Sequence, residues 1–225
     1  MGRRRRVERR KITVDYLTVG PFSENCYILG TESNDAIIID AGDEVHQIIE
    51  FIKKKKLKPL AIFSTHAHID HVDAVGNLKN HFKIPFYLHK GDLVILKSIK
   101  QQAAAVGLEC NSAPVVDKFL EDSETIALGE FKIKVLHTPG HTPGGSCFLI
   151  EDMLFSGDTL FAGSVGRTDF PGGSYDALIV SIQKKILPLG DDIKVFPGHG
   201  SSTTIGEERR NNPFIVDADR FRGLV

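Results

Sequence analysis

The stretch Thr65-His66-Ala67-His68-Ile69-Asp70-His71, directly behind the apolar run Leu60-Ala61-Ile62-Phe63, decides both the fold and the chemistry of this chain. It holds three imidazoles and one carboxylate within six residues. Burying so many polar side chains beside a strand costs free energy unless they coordinate a cation. Imidazole and carboxylate together suit zinc, iron or manganese rather than calcium. The stretch therefore predicts half of a two-metal site, and the rest of the chain argues against the alternative, a histidine-rich surface loop.

Three later segments have the same form, an apolar strand-like run that ends in a glycine-rich turn carrying a candidate ligand. Residues 131–136 alternate with a period of two before the turn breaks the pattern. A glycine before Asp158 lets the backbone turn its carboxylate out of the strand end, and we expect this residue to bridge two metals. The predicted ligands are His141, Asp158 and His199, in the segments 131–145, 153–161 and 193–200.

Several histidines, and the Gly-Asp turn, could have structural roles instead of binding a metal ion. His137 is either the ligand of its own segment or a group that donates to a carboxylate and so orients a ligand, and we predict the second role. A Gly-Asp pair such as Gly157-Asp158 is also ordinary turn chemistry. The remaining histidines lie in polar or helix-like surroundings without glycine-rich turns, and we predict surface or packing roles for them: His46, His81 and His89.

Four motifs in this order, HxHxDH, HTPGHTPGG, SGDTLF and PGHG, resemble the metallo-β-lactamase superfamily across residues 12–212. Two further segments, GRTDFPGG (Gly166–Gly173) and TTIGEERRNNPF (Thr203–Phe214), are most similar to the compact bacterial branch of glyoxalase II, the hydroxyacylglutathione hydrolases. The resemblance implies an αββα sandwich and two divalent metal ions per chain, with zinc favoured and iron or manganese as alternatives. It assigns His66, His68 and His141 to one metal and Asp70, His71 and His199 to the second, with Asp158 bridging them.

Differences from other branches of the superfamily reduce the number of reactions expected of this chain. Members that open β-lactams usually have a non-bridging ligand such as cysteine where Asp158 stands, so antibiotic hydrolysis is not expected. Flavodiiron proteins have a glutamate in place of His68. Classical glyoxalase II has a C-terminal helical domain that grips glutathione, whereas only a short stretch follows Phe214 here. The sequence therefore leaves the thiol carrier open.

The metal pair indicates hydrolysis as the reaction. Two ions bridged by Asp158 lower the pKa of a water held between them and give a hydroxide nucleophile at physiological pH. The ions also stabilise the oxyanion that forms when hydroxide attacks a carbonyl. A thioester such as S-lactoylglutathione suits this site, because a thiol with a pKa of about 8.5 leaves as a thiolate without a strong acid. Asp70 and Asp158 are the predicted catalytic carboxylates.

Candidate substrate contacts lie after the Asp158 segment. By the resemblance, Arg167 falls where a lysine contacts glutathione in the classical enzymes, and arginine can bind a carboxylate in a bidentate fork. Alternatively, Arg167 pairs with Asp169 or with neighbours of Asp158 to hold the loop. Phe161 and Tyr175 are predicted to line the pocket.

An oxidative enzyme is the main rival. Persulfide dioxygenases of the same superfamily also carry a GRTDF segment and bind one iron through the equivalents of His66, His141 and Asp158. This is the two-histidine, one-carboxylate set expected of oxygen-activating iron. Three features favour the hydrolase: Pro143–Gly145, Pro171–Gly173, and a PGHG motif with no tyrosine after its histidine.

Composition indicates one large domain over residues 12–225, since 225 residues with 41% hydrophobic content can form a sizeable core. Three cysteines are widely separated and form no CxxC pair, so neither a thiolate metal site nor a disulfide framework is predicted: Cys26, Cys110 and Cys147. A reducing cytoplasm fits this usage. No apolar run approaches the length of a membrane helix, and Asp15 and Gly20-Pro21 interrupt the only stretch that could follow a signal-peptide start.

Residues 1–11 are strongly biased, with six arginines and one lysine against one glutamate, a local charge of +6. The remainder of the chain carries −7, since the formal net charge is −1. A run of like charge without interleaved aromatics is typical of a solvated, disordered tail, although such an arm can also bind nucleic acid. We predict a tail, and a small-molecule thioester rather than nucleic acid as the partner.

Two β-rich groups, each followed by helical patterns, predict two mixed sheets packed face to face with helices outside, an αββα sandwich. The first helix has apolar residues at helical spacing and ends in Lys53–Lys56, cations suited to a helix C-terminus. Residues 113–129 show no clear pattern. Strands are predicted at 12–17, 25–29, 36–39, 60–63, 85–88, 131–136, 146–150, 153–155 and 193–196, and helices at 45–52, 73–80, 91–100 and 175–186.

Overall fold

Two six-stranded mixed β-sheets form the centre of the protein, in a computed structural model that describes residues 12–222. The first sheet contains β1 (Thr13–Val19), β2 (Glu24–Gly30), β3 (Asp35–Ile39), β4 (Lys58–Phe63), β5 (Phe86–His89) and β6 (Lys118–Leu120), in that order. Its first two pairings are antiparallel and the other three are parallel. The tail predicted for residues 1–11 lies outside the described residues.

The second sheet is built from later strands. These strands and a short ribbon beside them are β7 (Thr125–Leu128), β8 (Phe131–His137), β9 (Ser146–Ile150), β10 (Met153–Gly157), β11 (Leu160–Phe161), β12 (Ser164–Val165), β13 (Lys194–Pro197) and β14 (Thr203–Thr204). The order across the sheet is β14-β13-β10-β9-β8-β7, with β10 and β13 parallel and the other neighbours antiparallel. β11 and β12 pair with each other as an antiparallel ribbon.

Helices cover the outer faces of both sheets. They are α1 (Val45–Lys55), α2 (Ile69–Val72), α3 (Val75–Phe82), α4 (Leu93–Lys97), α5 (Ile99–Ala105), α6 (Tyr175–Ser181), α7 (Ile205–Asn211) and α8 (Pro213–Val216). Buried residues of α1 to α5 share one apolar cluster with the first sheet, and those of α6 and α7 share another with the second sheet. This layering is the predicted αββα sandwich.

Alternation along the strands separates the apolar layers. In β3, Ile37 and Ile39 belong to the layer between the sheets, together with Phe148 of the second sheet. Ile38, between them in sequence, belongs to the layer under α1 and α3. Because successive strand side chains point to opposite faces, one apolar run serves two layers. Each such burial stabilises the fold by about 1.5–3 kcal/mol.

Most predicted elements are confirmed, with shifted bounds. The first helix extends to Lys55, and Lys56 closes it in a left-handed conformation, with its N–H donating to Ile52 O and Lys53 O. The helix predicted at 73–80 is α3, preceded by the short α2. The helix predicted at 91–100 is instead a 3₁₀ turn, Lys90–Asp92, followed by α4 and α5. The helix predicted at 175–186 is α6 continued by a π-helical stretch, Ile182–Ile186.

Cross-sheet hydrogen bonds tie together the edge at which the loops with the predicted ligands leave the sheets. Tyr27 Oη donates to Pro197 O at 2.7 Å, and Asn25 N donates to Gly198 O at 2.8 Å. Ser146 N donates to Thr65 O at 2.8 Å. The loops after β4, β8, β10 and β13 are therefore held against one another. No helix within residues 12–222 is both long enough and apolar enough to cross a membrane.

Candidate metal centre

Three imidazoles converge in the first ligand cluster, His66, His68 and His141. His141 Nε2 lies 3.2 Å from His66 Nε2 and 2.9 Å from His68 Nδ1. Zinc–nitrogen bonds of about 2.0–2.1 Å in a tetrahedron put neighbouring ligand nitrogens about 3.3 Å apart. The spacing in the first cluster fits one metal ion with three protein ligands.

Hydrogen bonds on the far side of two rings leave the converging nitrogens without protons. His141 Nδ1 donates to Arg167 O at 2.7 Å, so its Nε2 carries a lone pair. The Thr65 hydroxyl donates to Asp40 Oδ2 at 2.8 Å, which leaves its oxygen to accept from His66 Nδ1 at 3.1 Å. His66 Nε2 is therefore also unprotonated, and two lone pairs face each other across 3.2 Å. A cation between them turns this repulsion into binding.

The first cluster also disfavours protonation of its rings. Burial, together with the neighbouring imidazoles, holds the pKa of His66 well below its ordinary value. Burial, together with the neighbouring His141, lowers the pKa of His68 to about 3. Both rings are neutral at physiological pH, which is the state that binds a metal ion.

Asp70, His71 and His199 form the second cluster. Asp70 and His71 lie in α2, and His199 follows β13. Asp70 Oδ2 lies 3.3 Å from His199 Nε2 and 3.8 Å from His71 Nε2. His199 Nδ1 donates to Phe22 O at 3.1 Å, so its Nε2 is available to a metal ion beside Asp70.

Asp158 lies between the two clusters. Its Oδ1 is 3.4 Å from His71 Nε2, and its Oδ2 is 3.7 Å from His141 Nε2 and 3.6 Å from His199 Nε2. One carboxylate therefore faces ligands of both clusters, as a bridging ligand must. A side chain at Gly198 would overlap Asp158 Oδ1, so glycine at this position lets the carboxylate lie against the backbone.

Buried polar atoms in the site lack hydrogen-bond partners among residues 12–222. They include His71 Nε2 and Asp158 Oδ1. Burial raises the pKa of Asp158, but His71, His141 and His199 beside it together outweigh burial and hold the pKa below the ordinary range of an aspartate. Unpartnered ligand atoms around an ionised carboxylate fit a divalent cation.

Asp40 orients ligands of both clusters and was not among the predicted site residues. Its Oδ1 accepts from Thr65 N at 2.7 Å, and its Oδ2 accepts from the Thr65 hydroxyl that fixes the tautomer of His66. The same Oδ2 lies 3.2 Å from His71 Nδ1. A signal was present, because Asp40 directly follows the apolar strand β3, as Asp158 directly follows β10.

Glu24 places a second buried carboxyl group, after that of Asp40, beside the imidazole of His71. Its Oε1 lies 4.0 Å from His71 Nδ1. Both of its oxygens are buried without a hydrogen-bond partner in the described part of the chain, and burial raises its pKa well above the ordinary value. A glutamate at the start of the fully buried strand β2 is the signal that could have marked it.

Arg167 lies at the rim of the first cluster. Its guanidinium donates to both carboxylate oxygens of Asp169, each at 2.7 Å, so the loop-holding pair considered from the sequence is formed. The guanidinium carbon also lies 3.9 Å from the centre of the Phe170 ring, which contacts the His68 ring at 5.4 Å between centroids. Arg167, Phe170 and His68 therefore form a continuous line of contacts from the surface to a candidate ligand, with the Phe170 and His68 rings edge to face.

The other two predicted substrate contacts differ in position. Phe161 lies in β11, half-buried, with its ring centre 6.3 Å from that of His199. Tyr175 lies buried at the start of α6, and its hydroxyl donates to Ala218 O at 2.8 Å. Phe161 is thus beside the second cluster, whereas Tyr175 contacts the C-terminal segment, and its role as a pocket residue stays a prediction.

The histidines assigned structural or surface roles lie apart from both clusters. His137 Nε2 donates to Pro143 O at 2.9 Å, and the His137 ring stacks on that of His89 with 4.0 Å between centroids. The His137 side chain therefore supports the loop that carries His141, whereas its backbone N–H donates to Asp122 Oδ1 at 2.9 Å. His46 and His81 line a groove between α1 and α3. The three cysteines are free thiols, two of them buried.

Comparison with known proteins shows the family of this chain and a similar bacterial enzyme. The model of the metallo-β-lactamase superfamily matches residues 19–199. The hydroxyacylglutathione hydrolase GloC of Haemophilus influenzae is 40% identical over 208 residues, which cover 91% of this chain and 98% of the relative.

Two solved structures are similar to this chain in both sequence and fold. BLEG-1, described as a B3 metallo-β-lactamase, is 39% identical, with a TM-score of 0.86 over 90% of this chain and 99% of that one. TTHA1623, solved in a di-iron-bound form, is 41% identical, with a TM-score of 0.83 over 89% of this chain and 100% of that one. The shared fold and identity extend over nearly the whole length of each.

Proposed function

Since the chain belongs to the metallo-β-lactamase superfamily of hydrolase-like enzymes, we propose that it hydrolyses thioesters with two divalent metal ions per chain. The observation that best supports this is the position of Asp158, whose carboxylate faces His141 of the first cluster and His71 and His199 of the second. Zinc is the first expectation, with iron or manganese as alternatives, and TTHA1623 supports iron as a candidate. The substrate class proposed is acyl-glutathione, with S-lactoylglutathione tested first because GloC bears that activity in its name.

Two bound divalent ions supply a hydroxide nucleophile at neutral pH and polarise the thioester carbonyl. Asp158 and Asp70 hold the negative charge that keeps both ions in place. Asp70 has the more exposed side chain of the two, 19% against 12%, so in the proposed site it is the ligand carboxylate nearer to solvent and to an entering substrate. The thiolate leaves without a proton donor, because a thiol pKa of about 8.5 makes the anion a stable leaving group.

The direct test is an assay of S-lactoylglutathione hydrolysis before and after metal removal. Activity should disappear on treatment with a chelator and return with added zinc, iron or manganese. A second thioester without glutathione shows whether the carrier matters. Metal-replete protein that hydrolyses no thioester would contradict the proposed function.

Arg167 gives a prediction about substrate charge. Arg167→Ala should raise KM for an anionic thioester by about tenfold and lower kcat less, because a hydrogen bond to a charged group contributes about 1.5–3 kcal/mol before solvent weakens it at this exposed site. The measurement is steady-state kinetics with an anionic and an uncharged thioester.

Arg210→Ala is the matched control, since Arg210 is also exposed and paired with a carboxylate, that of Glu207. It should leave both KM values unchanged. Equal losses toward the charged and the uncharged thioester in Arg167→Ala would show that Arg167 holds the loop through Asp169 instead of binding substrate.

A one-iron persulfide dioxygenase is the second candidate. His66, His141 and Asp158 supply the required two-histidine, one-carboxylate set, with 3.2 Å between the two Nε2 atoms and 3.7 Å from His141 Nε2 to Asp158 Oδ2. The hydrolase is favoured because the second cluster is also formed. Oxygen uptake with glutathione persulfide, in protein that leaves thioesters intact, would reverse this choice.

A β-lactam is the second substrate to assay, because BLEG-1 is described as a metallo-β-lactamase. We expect thioester turnover to exceed β-lactam turnover. The amide nitrogen of a β-lactam must gain a proton as it leaves, whereas a thiolate leaves as the anion.

A further inference from the structure

Asp92 is a buried carboxylate outside both ligand clusters. It ends the 3₁₀ turn that follows β5 and is fully shielded from solvent. Three groups donate to it: Ala67 N at 3.0 Å and the Thr142 hydroxyl at 2.9 Å to Oδ2, and Gly144 N at 2.5 Å to Oδ1. Such charge-assisted hydrogen bonds are roughly twice as strong as neutral ones.

The donors belong to the two loops that form the first cluster. Ala67 lies between His66 and His68, and Thr142 directly follows His141. These loops come from different sheets, one after β4 and the other after β8. A single carboxylate from a third loop thus holds both against each other, next to all three imidazoles.

The turn that carries Asp92 and the His141 loop approach each other closely at Gly91 and Gly144. A Cβ atom at Gly144 would lie 2.6 Å from Asp92 N and 2.7 Å from Asp92 Oδ1, and a Cβ atom at Gly91 would lie 3.0 Å from Gly144 Cα. Two glycines are therefore needed for the turn to reach the His141 loop. The stacked rings of His89 and His137 support this contact from outside.

The second cluster is fixed by other groups. His199 is oriented by Phe22 O, and His71 lies against Asp40 and Glu24. Two of the three donors to Asp92, Thr142 and Gly144, lie in the His141 loop, which carries no residue of the second cluster. The third, Ala67, precedes α2, and the first residue of α2, Ile69, is held separately, with its N–H donating to the Gln102 side chain at 2.9 Å. A change at Asp92 should therefore act on one cluster more than on the other.

We propose that Asp92 is a positioning residue that sets the spacing of His66, His68 and His141 and thereby governs metal affinity at the first site selectively. The proposal rests on the proposed function only in requiring that the first cluster binds a metal ion. It is independent of which substrate is hydrolysed.

The test is stepwise Co²⁺ binding to the metal-free protein, followed by visible absorption and equilibrium dialysis. His68→Ala and His199→Ala provide the spectra of proteins that lack a ligand of the first and of the second site. Asp92→Asn keeps the size of the side chain but replaces an acceptor oxygen with an amide that repels an N–H or O–H donor. It should weaken Co²⁺ binding at the first site by roughly ten- to a hundredfold, the range for groups that orient metal ligands, and leave the second site unchanged.

Thr142→Val removes one of the three donors with little change in shape, so it should weaken the first site in the same direction by a smaller factor. It also provides the test if Asp92→Asn does not fold. Asp117→Asn is the matched control, because Asp117 likewise accepts from a backbone N–H, that of Phe86 at the opposite end of β5. Binding at both sites should be normal in this control, and thermal unfolding by circular dichroism shows whether each variant is folded.

Unchanged Co²⁺ affinity at the first site in folded Asp92→Asn and Thr142→Val would overturn the proposal. Equal weakening of both sites would do so as well, because that is the result of a merely structural role. If the wild type binds metal at both sites and hydrolyses no thioester, the proposed function fails while the role of Asp92 is still decided by the binding data.

Discussion

Asp158→Ala should lower kcat/KM for thioester hydrolysis by at least about a thousandfold, which corresponds to about 4 kcal/mol. The variant removes the carboxylate that faces His71, His141 and His199, and with it the negative charge between the two proposed metal ions. Its fold should persist, because Asp158 belongs to none of the three apolar clusters. Steady-state kinetics, metal analysis and circular dichroism of the purified variant test this.

Asp152→Ala is the matched control for this substitution. Asp152 is an exposed aspartate at the opposite end of the same strand, directly before β10 begins. Its removal should leave turnover and metal content unchanged. An Asp158→Ala protein that keeps near-normal turnover would contradict the bridged two-metal mechanism.

Asp40→Ala should weaken both metal sites by roughly ten- to a hundredfold and also reduce stability. The substitution leaves the buried Thr65 N–H and hydroxyl without their acceptor and His71 without its adjacent charge. Each buried donor left unpaired costs about 1–3 kcal/mol, so the loss of both should lower the free energy of unfolding by roughly 2–6 kcal/mol. Metal titration and urea unfolding of the metal-free protein measure the two effects separately.

Asp35→Ala is the control for Asp40, since Asp35 begins the strand that Asp40 follows. It should leave metal affinity unchanged. Loss of affinity at only one site in Asp40→Ala would refute the joint orientation of His66 and His71 by this carboxylate.

The convergence of the candidate ligands could be predicted from sequence because most of them obey a local rule. His66, His141, Asp158 and His199 all follow an apolar strand, and strand ends that meet at one edge bring their loops together. The structure places these side chains within ligand distance of one another, although the metal ions that they bind remain a proposal.

The orienting carboxylates could not be predicted in the same way. Asp40 follows a strand but has no histidine beside it, so it reads as ordinary turn chemistry. Asp92 acts through donors more than twenty residues away in either direction, Ala67 at a separation of 25 and Gly144 at 52. Such contacts depend on how the loops pack, which local patterns do not contain.

Strands β6 and β7, and the break in the helix predicted at 91–100, could not be predicted from the sequence for a related reason. β6 has three residues, two of them exposed, and β7 alternates only weakly at the edge of its sheet. Short edge strands carry little apolar signal, so residues 113–129 gave no clear pattern. The helix predicted at 91–100 is interrupted at Ser98, whose hydroxyl donates to Ile95 O at 2.8 Å and ends α4.

Metal content per chain tests the central claim most directly. The protein is purified without chelator or affinity metal and measured by elemental analysis, before and after metal is added back. A two-metal hydrolase predicts about two zinc, iron or manganese ions per chain. A single iron, with the second site empty even after metal is added back, would contradict it and make the dioxygenase the better proposal.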